Sequence, residues 1–221
     1  MNKRISIAID GPAGAGKTTV ARGLARILGF KYVDTGAMYR AVAWKSLKAG
    51  IPLSDEAGIV EMAAGMHIDF PEGDGAKIFV DGVDLSYEIR TPEATRLSSP
   101  VSAISGVRRL LVAFQKKLAD GGGVVMEGRD IGTVVLPDAE IKVFLIASIE
   151  ERAKRRYDEI IASGKPADMD AIRHSIEERD HRDSSRADSP LMRADGAVDI
   201  DTDNLTIEQV IEKILELYRQ V

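Results

Sequence analysis

Short apolar segments alternate with segments of helical periodicity along most of this chain. The apolar segments are rich in β-branched residues, as buried parallel strands are, and they cover residues 5–9, 32–33, 124–126, 143–146 and 197–200. In six other segments apolar residues recur every three or four positions, which predicts helices over residues 17–28, 37–48, 107–120, 150–163, 169–182 and 207–220. Strands that alternate with helices usually build a parallel sheet with helices on both faces, so the chain is predicted to be an α/β protein.

Two regions interrupt this alternation. The segments 67–70 and 77–82 flank residues 71–75 (Pro-Glu-Gly-Asp-Gly), which predicts an antiparallel hairpin inside a small inserted subdomain. Residues 148–196 carry ten Lys or Arg and twelve Asp or Glu with almost no strand pattern. Helices with few apolar residues pack weakly on a core, which suits a mobile lid. A solvated helical hairpin held by salt bridges explains the same charges equally well.

Residues 11–18 read Gly-Pro-Ala-Gly-Ala-Gly-Lys-Thr and follow the first predicted strand directly. This spacing matches the phosphate-binding loop that joins a strand to a helix in many nucleotide-binding proteins. The glycines allow the backbone to turn its N–H groups toward an anion, and the N-terminus of the following helix adds its positive dipole. Lys17 is expected to reach the β- and γ-phosphates, and Thr18 a Mg²⁺ ion. The segment therefore predicts a nucleoside triphosphate site rather than a glycine-rich turn without a ligand.

The composition agrees with a soluble globular protein. The chain has 221 residues, of which 44% are hydrophobic and 29% charged, and this is enough for a sizeable core. Its net charge of -5 argues against general nucleic-acid binding, and its lack of cysteine excludes disulfides and thiolate metal sites. The apolar residues 5–9 are too few for a signal-peptide core, and no segment approaches membrane-spanning length. We therefore expect a cytoplasmic protein.

Arginines cluster in four short segments, two of which directly follow predicted strands. The segments are 34–40, 88–91, 128–130 and 178–186. In an open parallel sheet, ligands bind beyond the carboxyl ends of the strands, so residues at these positions can reach the same space as the phosphate loop. Phosphoryl transfer depends mainly on alignment and on neutralising negative charge, and arginine contributes to both. A single such arginine is more often part of a surface ion pair, but together with a phosphate loop the four clusters favour a phosphotransferase.

These motifs together resemble those of the bacterial cytidylate kinases. They are Gly-Pro-Ala-Gly-Ala-Gly-Lys-Thr at 11–18, Asp-Thr-Gly-Ala-Met-Tyr-Arg at 34–40, Glu-Ile-Arg-Thr at 88–91, Gly-Arg-Asp-Ile-Gly-Thr-Val-Val at 128–135 and Glu-Arg-Asp-x-Arg-Asp-x-x-Arg at 178–186. The resemblance implies a P-loop NTPase-type three-layer α/β/α fold with a central parallel sheet, an inserted nucleoside monophosphate (NMP)-binding subdomain and a helical lid. The implied parts are a core at 1–35, 101–148 and 191–221, the NMP-binding insertion at 36–100, and the lid at 149–190.

The same resemblance implies transfer of the γ-phosphoryl group of ATP to CMP or dCMP. We expect a monomer that uses Mg²⁺ with ATP and binds neither nucleic acid nor membrane. The implied ATP site is Gly11, Pro12, Ala13, Gly14, Ala15, Gly16, Lys17, Thr18 and Thr19, with Thr18 also at the metal. The implied CMP site is Thr35, Arg40, Ser99, Arg108, Arg129, Asp130, Arg179, Asp183 and Arg186. Among all of these, Lys17, Arg129 and Arg186 are the implied catalytic residues.

The resemblance also divides the CMP site by role. The implied contacts are Thr35, Arg40, Arg129 and Arg186 at the phosphate, Arg108, Asp130 and Ser99 at the base, and Arg179 and Asp183 at the sugar. Thr35 stands where relatives carry serine, and both residues offer a hydroxyl. At the base, Ser98 or Ser102 could take the place of Ser99, and Arg109 that of Arg108.

The chemistry of the residues supports part of this assignment. The carboxylate of Asp130 can accept a hydrogen bond from the exocyclic amine of cytosine, whereas uracil would present a carbonyl oxygen to it. A hydrogen bond to a charged group contributes about 1.5–3 kcal/mol, so UMP should bind roughly ten- to a hundredfold more weakly than CMP. A phosphate monoester is mostly ionised at pH 7, so no general base is required, and His67, His174 and His181 are not needed as catalysts.

Other functions are compatible with the phosphate loop alone. The nearest alternative is a kinase with the same core for UMP, AMP or shikimate. A GTP-dependent switch is less compatible, because the sequence contains no Asn-Lys-x-Asp segment to recognise guanine. A motor-type ATPase would leave the four arginine clusters unexplained.

Overall fold

A five-stranded parallel sheet forms the centre of the computed structural model, which describes residues 3–71, 77–186 and 188–221. The strands along the chain are β1 (Ser6–Asp10), β2 (Lys31–Asp34), β3 (Ile68–Asp69), β4 (Phe79–Val80), β5 (Val83–Asp84), β6 (Val124–Gly128), β7 (Ile141–Ile146) and β8 (Val198–Asp201). The central sheet has the order β2-β6-β1-β7-β8, and every neighbouring pair in it is parallel. The five predicted strands and their parallel arrangement are therefore confirmed.

Eight α-helices account for most of the other described residues. They are α1 (Lys17–Leu28), α2 (Thr35–Lys48), α3 (Glu56–Ala64), α4 (Pro92–Ala103), α5 (Ser105–Leu118), α6 (Ile149–Ala162), α7 (Met169–Ser185) and α8 (Ile207–Gln220). Six of them confirm predicted helices, and α1 and α8 have the predicted bounds. The sequence pattern missed α3, which has only nine residues, and α4, which contains Pro100 and several serines. In addition, a 3₁₀ turn spans Glu88–Arg90 and a π-helical turn spans Ile131–Val135.

Helices cover both faces of the central sheet, and each face has its own apolar core. On one face, Leu24 of α1 and Ile214 of α8 lie in a buried cluster with Ile7 of β1. On the other face, Met38 of α2 lies in a buried cluster with Met126 of β6. All five side chains are completely buried, and each such burial stabilises the fold by about 1.5–3 kcal/mol. This three-layer arrangement confirms the predicted fold class.

A second, antiparallel sheet of three short strands lies between α3 and α4. Its strands β3 and β4 confirm the predicted hairpin strands, whereas the predicted turn at 71–75 falls almost entirely outside the described residues. The second strand was predicted to run to residue 82, but β4 ends at Val80. Asp81 and Gly82 both adopt positive φ, at 52° and 79°, and this tight turn leads directly into β5, which the sequence pattern did not predict.

The helices α6 and α7 form a hairpin with a largely charged surface, as the sequence predicted. The buried residues of this hairpin are Arg152 and Ala153 in α6 and Ile176 and Asp183 in α7. An ion pair between Arg152 and Asp180 joins the two helices. Within the described part of the chain, no helix has both the length and the apolar character needed to cross a membrane.

Candidate functional site

The loop between β1 and α1 has the geometry of an anion-binding site. Gly11, Gly14 and Gly16 adopt φ values of 146°, 80° and 86°, and Gly16 directly precedes α1. At Gly11 a Cβ atom would lie 2.4 Å from the carbonyl oxygen of Leu145 in β7, so no side chain fits there. No described side chain caps the first turn of α1, which leaves its N–H groups available for a phosphate.

Lys17 is the first residue of α1, and its side chain is almost completely buried. Its Nζ donates a hydrogen bond to the carbonyl oxygen of Pro12 at 2.6 Å. Burial and the nearby guanidinium of Arg129 lower the pKa of Lys17 to about 7, although the carboxylate of Glu127 acts in the opposite direction. A buried ammonium beside another cation is unfavourable, so an anion placed next to Lys17 should be bound strongly.

Binding of ATP is expected to raise the pKa of Lys17 and therefore to take up a proton. With a pKa of about 7 in the free protein, Lys17 is mostly neutral at pH 8 and becomes charged when the triphosphate binds. Titration calorimetry at pH 8 in two buffers of different ionisation enthalpy should detect uptake of about one proton per ATP. The Lys17→Arg variant stays charged throughout and should show no buffer dependence. Equal binding heats for the wild type in both buffers would contradict this expectation.

A cavity of about 220 Å³ lies next to this loop, beyond the carboxyl ends of β1, β2 and β6. Besides loop residues, its lining includes all nine residues of the predicted CMP site: Thr35, Arg40, Ser99, Arg108, Arg129, Asp130, Arg179, Asp183 and Arg186. Thr35 follows β2 directly, and Arg129 and Asp130 follow β6, so neighbouring parallel strands deliver them to one edge of the sheet. The structure therefore brings the predicted donor and acceptor residues to a shared space.

Arg108 of α5 and Asp130 form a buried ion pair in one part of this cavity. Arg108 also donates to the carbonyl oxygen of Ser102 at 3.2 Å, and its guanidinium lies 5.6 Å from the ring centre of Tyr39. Arg109, the alternative at this position, is exposed on α5. A guanidinium and a carboxylate held side by side offer both donors and acceptors, as recognition of the edge of a heterocyclic base requires.

Three serines of α4 also line the cavity: Ser98, Ser99 and Ser102. The hydroxyl of Ser98 donates to the carbonyl oxygen of Thr95 at 2.7 Å, and that of Ser102 to the carbonyl oxygen of Ser99 at 2.8 Å. Among the described residues, the Ser99 hydroxyl has no hydrogen-bond partner. Of the three alternatives, the geometry therefore favours Ser99 as the serine that is open to a ligand.

Positive charge is in excess in the part of the cavity nearest α7. Nε of Arg129 donates to Oδ2 of Asp183 at 2.8 Å, and Nη2 of Arg186 lies 3.5 Å from Oδ1 of the same carboxylate. Although burial acts in the opposite direction, Arg129 and Arg186 hold the pKa of Asp183 below its usual value. Burial and the proximity of Arg129 lower the pKa of Arg179 to about 10. A single carboxylate thus faces three arginines.

Three buried guanidinium nitrogens in the cavity lack a hydrogen-bond partner among the described residues. They are Nε of Arg40, Nε of Arg108 and Nη2 of Arg186. Another nitrogen of Arg40 is paired, since its Nη2 donates to Oδ2 of Asp34 at 2.7 Å. Buried N–H groups are normally satisfied, so these atoms point to a ligand with several acceptor oxygens. A phosphate group has such oxygens and pairs strongly with arginine.

Asp10 is a buried carboxylate at this site that the sequence analysis did not single out. It is the last residue of β1, and its two oxygens accept hydrogen bonds from the backbone N–H groups of Ile131 at 2.9 Å and Gly132 at 2.7 Å. Burial raises the pKa of Asp10 to about 6, against the effect of these two hydrogen bonds. Asp10 therefore fixes the chain segment directly after Arg129 and Asp130 relative to the phosphate loop.

Glu127, near the end of β6, is the second carboxylate that was missed. It accepts a hydrogen bond from the hydroxyl of Tyr32 at 2.6 Å. Burial raises its pKa, while Lys17 and hydrogen bonds from Tyr32 and Thr18 act in the opposite direction. The only sequence signal for either carboxylate was an acidic residue at the end of an otherwise apolar strand.

The residues around Thr18 fit a Mg²⁺ ion that arrives with a nucleotide. In the described ranges, no three His, Cys, Asp or Glu side chains converge into a metal site. Mg²⁺ bound to a nucleotide does not need such a cluster, because water and phosphate oxygens supply most of its ligands. The exposed hydroxyl of Thr18 and the neighbouring carboxylate of Glu127 are oxygen ligands of the kind that Mg²⁺ prefers.

Comparison with known proteins identifies the family. The family model of cytidylate kinase matches residues 7–220. The cytidylate kinase of Caldanaerobacter subterraneus subsp. tengcongensis is 51% identical over 100% of this chain and 97% of its own, and that of Desulfitobacterium hafniense is 49% identical over 99% and 94%. The solved structure of shikimate kinase from Acinetobacter baumannii in complex with shikimate has a TM-score of 0.51 at 18% identity, covering 99% of this chain and 95% of that one. At this identity the likeness shows only that the two proteins have the same fold. From a match of this extent it follows that the chain belongs to the cytidylate kinase family.

Proposed function

We propose that this chain transfers the γ-phosphoryl group of ATP to CMP or dCMP, giving ADP and CDP or dCDP. The observation that carries the proposal is the cavity that Lys17 of the phosphate loop shares with Arg40, Arg129 and Arg186. Membership of the cytidylate kinase family supports the same reaction.

In this proposal the phosphate loop and the first turn of α1 bind the triphosphate of ATP. The residues are Gly11, Pro12, Ala13, Gly14, Ala15, Gly16, Lys17, Thr18 and Thr19. Their N–H groups donate to the phosphate oxygens, and Lys17 exchanges its hydrogen bond with Pro12 for the β- and γ-phosphates. Thr18 and Glu127 would hold Mg²⁺, which when bound supplies positive charge to the β- and γ-phosphates.

The phosphate of the acceptor lies against Thr35, Arg40, Arg129 and Arg186 in the same cavity. Nε of Arg40 and Nη2 of Arg186 have no hydrogen-bond partner among the described residues, which supports this assignment. One guanidinium group can donate to two phosphate oxygens at once, and it stays charged at neutral pH. Three guanidinium groups can therefore balance the negative charge of a phosphate dianion.

The nucleoside of the acceptor occupies the rest of the cavity. Asp130 accepts a hydrogen bond from the exocyclic amine of cytosine, and Arg108 and the open hydroxyl of Ser99 complete the contacts to the base. Arg179 and Asp183 lie one turn apart on α7 and contact the sugar.

Lys17, Arg129 and Arg186 are the catalytic residues of the proposed reaction. The acceptor phosphate is mostly a dianion at pH 7 and attacks without a protein base. The three cations hold two mutually repelling phosphates close together and balance the charge that spreads over the migrating group. The hairpin of α6 and α7 acts as a lid that excludes water and so limits hydrolysis of ATP.

We divide the chain accordingly into a core at 1–35, 101–148 and 191–221, an NMP-binding insertion at 36–100 and a lid at 149–190. The small antiparallel sheet and α4 lie in the range of the insertion, and the charged helices lie in that of the lid, which supports this division. We further propose that the protein is a cytoplasmic monomer whose partners are free nucleotides.

A coupled assay of ADP release tests the proposal directly. The acceptors are CMP, dCMP, UMP, AMP, GMP and shikimate, with a control that contains no acceptor. We expect rapid turnover with CMP and dCMP, kcat/KM for UMP at least about tenfold lower, and negligible ADP release without an acceptor. ADP release that does not depend on an acceptor would instead indicate a switch or a motor, and preference for shikimate would contradict the assigned substrate.

A further inference from the structure

Arg152 is a buried arginine whose guanidinium joins three parts of the molecule. It lies in the first turn of α6, and its side chain is 4% exposed. Its Nε donates to the carbonyl oxygens of Ala147 at 3.1 Å and Ser148 at 3.3 Å, just after β7. Nη1 donates to the carbonyl oxygen of Ala13 at 3.1 Å, and Nη2 lies 2.7 Å from Oδ2 of Asp180 in α7. With four oxygen partners supplied by the protein, this guanidinium serves to connect protein segments.

The contact with Ala13 supports the phosphate loop. Ala13 belongs to this loop, and its carbonyl oxygen accepts a hydrogen bond from Nη1 of Arg152. Arg152 also packs closely against Gly14, where an added Cβ atom would lie 3.1 Å from the Cβ of Arg152. Arg152 therefore holds Ala13 and Gly14 of the loop in place through a hydrogen bond and a close packing contact.

The contact with Asp180 positions α7. Asp180 directly follows Arg179 and precedes Asp183 by three residues, so one turn of the helix carries the ion-pair partner of Arg152 together with two cavity residues. The ion pair thus sets both the rotation and the distance of this turn relative to the phosphate loop.

We propose that Arg152 is a positioning residue for phosphoryl transfer. It ties the phosphate loop to the turn of α7 that carries Arg179 and Asp183, and so sets the spacing between donor and acceptor without contacting either of them. This inference rests on the proposed function, because the cavity beside α7 is taken as the acceptor site. Misplacement of reacting groups by about 1 Å can lower a rate about 100-fold, so this spacing matters for catalysis and not only for stability.

Two variants separate the two contacts of Arg152. Asp180→Asn removes the charge on α7 only, and it is expected to raise KM for CMP at least about fivefold while KM for ATP changes less than about twofold. Arg152→Lys keeps the charge, but the single nitrogen of a lysine ammonium cannot replace Nη1 and Nη2 of the guanidinium, which contact Ala13 and Asp180 at the same time. It is expected to raise KM for both substrates and to lower kcat at least about tenfold.

Arg156→Lys is the matched control. Arg156 lies one turn further along α6, is exposed, and forms an ion pair with Glu159 on the same helix. An exposed pair of this kind contributes little, so kcat and both KM values should stay within about twofold of the wild type.

The kinetic constants are measured at a temperature well below the Tm of each variant, so that loss of folded protein does not enter. A purely structural Arg152 would lower Tm and leave KM for CMP and for ATP unchanged, and this result would overturn the proposal. If Arg152→Lys does not fold, Asp180→Asn carries the test, since this carboxylate side chain is 25% exposed. Failure of the proposed function would appear differently, as a wild-type protein without CMP-dependent ADP release.

Discussion

Lys17→Met is expected to lower kcat for phosphoryl transfer to CMP by at least about 1,000-fold while the protein stays folded. Lys17 is the buried cation of the phosphate loop, and its ammonium is held beside Pro12 in the free protein. Without it, the charge on the migrating phosphoryl group would be left uncompensated at the loop. Methionine is unbranched and flexible and fills the same buried space without a charge.

Steady-state ADP release measures this effect, and thermal unfolding checks the fold. Because the pKa of Lys17 falls from 10.5 to about 7 on folding, its charge opposes folding below pH 7, and this penalty disappears as the pH rises toward 10.5. The variant lacks the penalty, so its Tm at pH 7 should not be lower than that of the wild type. Lys213→Met, on the exposed face of α8, is the control and should keep full activity. A kcat for Lys17→Met within tenfold of the wild type would remove Lys17 from the mechanism.

Asp130→Ala is expected to lower kcat/KM for CMP about ten- to a hundredfold more than for UMP, because only cytosine offers an amine to the carboxylate. The substitution also leaves Arg108 buried without its ion-pair partner. The free energy of unfolding should therefore fall by about 3–5 kcal/mol, which denaturant unfolding can measure. Kinetic comparison of the two acceptors must be made under conditions in which the variant is fully folded.

Asp130→Asn is the matched control for this prediction. Its amide oxygen can still accept a hydrogen bond from the cytosine amine, so part of the preference for CMP should return. Equal losses for CMP and UMP in Asp130→Ala would exclude Asp130 from recognition of the base.

Hydrophobic periodicity in the sequence was sufficient to predict the strands of the central sheet and the helices that have one apolar face. The helix α8, for example, has the predicted bounds, and a capping box of Thr206 and Gln209 fixes its start. The helix α4 was missed although Thr91 caps it and a proline occupies its first turn. The positions of α4 that line the cavity carry serines instead of apolar residues. This helix therefore lacks the regular spacing of apolar residues from which a helix is predicted.

The motifs predicted the cavity because parallel strands present their carboxyl ends at one edge of the sheet. Asp10 and Glu127 were missed because single carboxylates in apolar strands have no spacing pattern of their own. The role of each carboxylate depends on which backbone and side-chain groups the fold brings into contact with it. Asp10, for instance, binds the backbone of Ile131, which is 121 positions away in the chain. Such contacts follow from strand register and loop geometry, which one sequence does not specify.

The segment between α2 and α4 shares its apolar core with the central sheet. Ile59, Ile78 and Val80 lie in the same buried cluster as Met126 of β6. Separation of this segment from the central sheet would expose the apolar surface between them to water, at a cost of about 25 cal/mol per Å². Because they share this buried cluster, we expect the central sheet and the segment between α2 and α4 to unfold as one cooperative unit.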